Sequence, residues 1–275
     1  MNQSTKPFPS ILQSFGITGF VVLLTLMLIP LQLSLNELLP PAAATLIFYS
    51  MVLLIPILIF HQLKKKVEGL VTYQFLPRSW SLTGLIILAS LSINHGIIIP
   101  LGSLIPMPDI IKESFLELLL QVKSIYGFIT IAVAAPILEE ILFRGIILNG
   151  LLKRYSPQKA ILVSAFLFGI VHLNPWQFFG AFLIGIFMGY VYYHTKNIGY
   201  CILIHFSGNF TAALSVFFLS KKAMISDKLS VTYGGELNFY LIFGFSLLLI
   251  PISFLALHRR LKRQGKNQLE TSNET

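Results

Sequence analysis

Charge is scarce in this chain. Only 11% of its 275 residues are Asp, Glu, Lys or Arg, against about a quarter in an ordinary soluble domain. The shortfall excludes a water-facing surface over most of the molecule. Cysteine is nearly absent as well. Cys201 stands alone in an apolar run, so no intramolecular disulfide can form and the redox compartment is not legible. No A-x-A-like cleavage site follows the first apolar stretch, which argues for a retained membrane helix over a removed signal peptide. There is also no basic binding patch. The net charge is +9, but the Lys and Arg residues cluster between apolar runs, as membrane flanks do. Nucleic acid is therefore excluded as a partner.

What the chain has in quantity is apolar length. A membrane helix needs about 20 mostly apolar residues. Candidate spans lie near 15–35, 42–62, 80–101, 125–152, 158–173, 176–194, 198–220 and 236–257. The expectation is an all-α, polytopic membrane helix bundle of about eight transmembrane helices. It forms a single transmembrane domain over 1–262, with a core near 125–220 and a polar cytoplasmic tail over 263–275. Residues 107–123 place Asp109, Lys112, Glu113 and Glu117 between apolar residues at helical spacing, the pattern of a helix lying at the interface. With the N-terminus inside, 14 Lys and Arg residues fall on the cytoplasmic side and 5 outside. That asymmetry places both termini in the cytoplasm of a multi-pass cell-membrane protein.

The fourth span breaks the pattern. It reads YGFITIAVAAPILEEILFRGIILNGLLKR, with Glu139, Glu140 and Arg144 near its middle. A charge at the bilayer centre costs at least ~2.5 kcal/mol. Glu140 and Arg144 are four residues apart, share a helix face and can pair. A buried ion pair that fixes helix packing is one reading of those two, and a part in a functional site is the other. Glu139 points about 100° away on the helix wheel and has no partner in its own span. A lone carboxylate in a low dielectric is a candidate for acid–base work.

Two further polar sites lie in apolar helices. FGIVH puts His172 at the end of the fifth span, and HFSGN puts His205 and Asn209 four apart on the seventh. His95 reads as a packing residue, and His61, His194 and His258 as interfacial. Glu139 and His172 each lie roughly 20 Å, and His205 roughly 13 Å, from the basic end of their helices at 1.5 Å per residue. A site formed by three spans is feasible.

These boxes, EEILFR (139–144), FGIVH (168–172) and HFSGN (205–209), resemble in order and spacing the E-E-x-x-x-R, F-x-x-x-H and H-x-x-x-N boxes of the CPBP intramembrane metalloproteases, the Abi or type II CAAX prenyl endopeptidase-like family. The resemblance covers about 85 residues, from 125 to 209. It implies a membrane-embedded endopeptidase acting on a membrane-associated or prenylated (CAAX-type) substrate, either a peptide or a lipidated protein. By the same resemblance, Glu139 activates water and His172 assists it. His205 and Asn209 polarise the scissile carbonyl, with Glu140 and Arg144 supporting. Metal is left open: Glu139, His172 and His205 could hold a zinc ion with one free position, but HFSGN lacks the HExxH pattern. Some members protect bacteria against their own bacteriocins, so a self-immunity membrane protein is the alternative. A proton-coupled carrier would also bury such residues, but the chain has no matching half of the kind transporters carry.

Overall fold

The prolines and polar caps of the sequence divide the chain into helices, and the computed structural model describes residues 6–273. Among those residues there is no β-strand. Helix α1 (Ile11–Met27) starts in a reciprocal cap between Ser10 and Gln13, and bends by 46° into α2 (Ile29–Leu38). Pro30, which has no N–H to continue the ladder, sits at the bend. Helices α3 (Pro41–Glu68) and α4 (Trp80–Gly102) follow. The amphipathic α5 (Asp109–Gln121) comes next, over the stretch where helical spacing was expected. Then come α6 (125–152), α7 (Pro157–Ile170), α8 (Pro175–Thr195), α9 (Ile198–Phe218) and α10 (Glu236–Asn273).

Among the described residues, five helices are long and apolar enough to cross a membrane: α3, α4, α8, α9 and residues Glu236–Lys262 of α10. The bent pair α1–α2 makes a sixth. The chain is thus a multi-pass helical membrane protein. The two other expected spans differ for physical reasons. Helix α7 has 14 residues, about 21 Å of rise, which is short of a hydrocarbon core of about 30 Å. Helix α6 carries the three charges, and its backbone widens into π turns at Thr130–Ala134 and Ile141–Leu148, as that of α4 does at Asn94–Ile98. The backbone of α10 runs on to Asn273, where a polar tail was expected from residue 263.

Helix α6 forms the middle of the bundle. Leu142, Phe143, Ile146, Ile147, Leu148 and Leu151 are fully buried, as are Glu140 and Arg144, so the charged half of the helix is shielded by protein. By contrast, α10 leaves Leu241, Phe245, Leu248, Ile252 and Leu255 exposed. An apolar stripe of that kind is stable against lipid and would be a liability in water. Three of the basic residues expected on one side anchor contacts at helix ends. Lys153 meets Glu68, Arg154 meets the Pro7 carbonyl, and Arg260 meets Ser81. Lys112, expected on the other side, pairs with Asp227.

The start of α9 shows how closely such an end is held. Asn197 caps the helix through Gly199 N–H at 2.8 Å and donates to the Leu76 carbonyl at 2.8 Å. A Cβ on Gly199 would lie 1.7 Å from the Phe75 carbonyl oxygen. Gly199→Ala is therefore expected to cost about 1–3 kcal/mol, as overpacking does. Thermal unfolding in detergent measures this, and an unchanged Tm would show that the loop after α3 gives way freely.

Candidate active site

Pro136 organises the helix that bears the carboxylates. It has no N–H to give to a carbonyl one turn back, and the helix widens into the π turn just before it. Within that turn Ala135 N–H bonds to the Thr130 carbonyl, five residues back. By the same spacing the Ile131 carbonyl would need the N–H of residue 136, which proline lacks. Asn209 of α9 supplies the donor instead, with Nδ2 2.9 Å from Ile131 O. The amide has two N–H bonds, so a second one remains for another acceptor. Such π turns are rare and concentrate at functional sites.

The pairing of Glu140 with Arg144 is as the four-residue spacing predicts. Arg144 Nη1 lies 2.9 Å from Glu140 Oε1, and both side chains are 0% exposed. Arg144 also donates to the Gly185 carbonyl at 3.3 Å and lies over the Phe168 ring, 4.5 Å from its centre. The two histidines are oriented by their Nδ1 atoms. His205 Nδ1 is 3.0 Å from Glu140 Oε1, and His172 Nδ1 is 2.8 Å from the Phe168 carbonyl. A carboxylate and a carbonyl only accept, so each Nδ1 donates. In the neutral ring each Nε2 is then a lone-pair acceptor.

Glu139 has a partner that sequence reasoning missed. Tyr49, from α3, donates its hydroxyl to Glu139 Oε1. The other oxygen, Oε2, is buried without a hydrogen-bond partner. Phe168 ties the rest together. Its ring packs edge-on against His172 and His205, with centres 5.2 and 5.7 Å apart. The structure thus brings the three boxes into one cluster on α6, the α7–α8 turn and α9. His205 approaches Glu140, and Asn209 is engaged with the backbone of α6. Two buried polar atoms besides Glu139 Oε2 lack partners there, Glu140 Oε2 and Arg144 Nε.

Metal fits this arrangement poorly. Among the described residues, no group of three or more His, Cys, Asp or Glu side chains is placed to hold an ion. The set Glu139, His172 and His205 does not form such a group as the side chains stand here.

A membrane helix bundle that buries two carboxylates beside two oriented histidines, with one carboxylate oxygen unpartnered, has the parts of a membrane-embedded hydrolase. The comparisons give the class a family. Residues 121–211, a third of the chain, match the family described as type II CAAX prenyl endopeptidase Rce1-like, a family of membrane proteases. No curated protein and no solved structure matches the chain.

Proposed function

We propose that the protein is an intramembrane endopeptidase that cleaves a membrane-associated or prenylated, CAAX-type substrate, in the cell membrane and with both termini cytoplasmic. The observation that carries this reading is the division of labour on Glu139. Tyr49 occupies Oε1, and Oε2 is buried without a partner. Such an oxygen is where a water molecule would be bound and deprotonated.

The reaction follows from general acid–base chemistry. Glu139 Oε2 takes a proton from water as the water oxygen attacks the scissile carbonyl carbon. His172 Nε2 accepts the other hydrogen bond of that water and orients it. The tetrahedral oxyanion takes a hydrogen bond from the second N–H of Asn209. His205, held at Nδ1 by Glu140, is a second donor when its Nε2 carries a proton. The C–N bond then breaks, and the proton held by Glu139 passes to the leaving amine.

Purified protein in liposomes, mixed with a farnesylated peptide carrying three residues beyond its modified cysteine, tests the reading. Release of the tripeptide, read by mass spectrometry, is expected from the wild type, with a loss of about 100-fold or more in His172→Ala. Failure of the wild type to cleave both this peptide and an unprenylated membrane-tethered one would overturn it.

A further inference from the structure

Away from the carboxylates, the bundle contains a second polar feature. A cleft of about 320 Å³ opens between the loop after α3, the ends of α6 and α8, and the start of α9. Tyr73, Gln74, Asn149, Lys153, Tyr192 and Lys196 line it. Its floor is polar but satisfied, since Asn149 Nδ2 donates to the Tyr192 hydroxyl at 2.9 Å.

Its two lysines differ. Lys153 pairs with Glu68, 2.6 Å away, a carboxylate it shares with Lys64. Lys196 forms no ion pair among the described residues; its ammonium lies 5.9 and 5.0 Å from the ring centres of Tyr192 and Tyr193. Although Lys196 is exposed, desolvation and then the charge of Lys153 hold its ammonium below the usual lysine range.

The backbone gives a second, independent observation. Lys196 follows α8 in the left-handed region, with φ 53 and ψ 26. Glycine is the residue most at ease there. The chain thus keeps a long cation where glycine would be more stable. Attraction to the C-terminal carbonyls of α8 explains the sign of the charge. It does not explain why Lys196 lines a cleft beside a second lysine.

We propose that this cleft binds the phosphate of an anionic lipid headgroup, with Lys196 as the cation that meets it. The end of the span α8 and the start of the span α9 border the cleft, which sets it at the depth of headgroups, where basic pockets between membrane helices take such ligands. Lys153 and Asn149 offer further donors. A free phosphate has the same charge chemistry but lacks the acyl chains that would lie along the helices.

Thermal unfolding of the full chain in a neutral detergent tests this without reference to proteolysis. Short-chain phosphatidylglycerol is expected to raise Tm by several degrees, and phosphatidylcholine to leave it unchanged. Lys196→Gly is expected to raise the basal Tm by about 2 °C through relief of the backbone, yet to lose most of the phosphatidylglycerol increment. Lys196→Gln should lose the increment without the basal gain. The control Lys66→Gln, on an exposed lysine outside the cleft, should keep it. An undiminished increment in both Lys196 variants would overturn the proposal. An equal rise with inorganic phosphate alone would overturn the lipid assignment.

Discussion

Arg144→Ala is expected to destabilise the folded bundle by about 3–5 kcal/mol, the cost of removing one partner of a buried ion pair. Glu140 is 0% exposed, and Arg144 is the cation that offsets its charge at 2.9 Å. Without Arg144 the carboxylate keeps only His205 as a hydrogen-bond partner. The guanidinium contacts with the Phe168 ring and the Gly185 carbonyl are lost as well. The double variant Glu140→Gln, Arg144→Met separates charge from packing. It removes both charges, fills most of the volume and leaves an amide oxygen for His205. Replacing a buried pair with neutral residues of similar size is often neutral, so the double variant should recover most of the loss. Unfolding of the purified variants in detergent measures both. A single variant as stable as the wild type would show that the pair carries no stability.

Glu139→Gln is expected to lower kcat by about 10²–10⁴-fold, the range for loss of a positioned general base. The amide fills the same space and can still accept from Tyr49, so the fold should stand. Tyr49→Phe is expected to act more weakly, with a fall in kcat of about 10-fold, equivalent to about 1.4 kcal/mol and in keeping with one lost hydrogen bond. Its KM should hold, because Tyr49 acts through Glu139 and does not touch the substrate in this reading. Steady-state cleavage in liposomes separates the two constants. Full activity in Glu139→Gln would move the base to another residue, His172 first. A Tyr49→Phe loss as large as that of Glu139→Gln would make Tyr49 a participant in the proton transfer.

The sequence made the pairing of Glu140 with Arg144 legible because helical spacing alone dictates it. It also gave the three boxes, and with them the helices that would have to meet. It could not give the rotation of those helices about their axes. His205 therefore turns out to face Glu140, and Tyr49 to reach Glu139 from a span with no charged residue nearby. A signal for Tyr49 did exist: a tyrosine within an apolar span carries a hydroxyl that needs a partner when buried. The expectation of eight spans came from hydropathy, which sees neither the wide turns of α6 nor the early end of α7; five or six helices meet the length and composition of a span among the described residues. Pro136 announced the first of these, since a proline within an apolar helix removes one rung of its ladder.

That missing rung reaches beyond α6. The proline hides a deficit, one carbonyl without a hydrogen, and the deficit is met from another helix by Asn209. The helix that bears the first box and the asparagine that ends the third are therefore complementary halves of a single joint, and the alignment of α9 is written partly in a residue of α6. Any other residue at 136 would bring its own N–H, let α6 close on itself and leave Asn209 with nothing to hold. The site would then lose its alignment although none of its chemical groups had been altered.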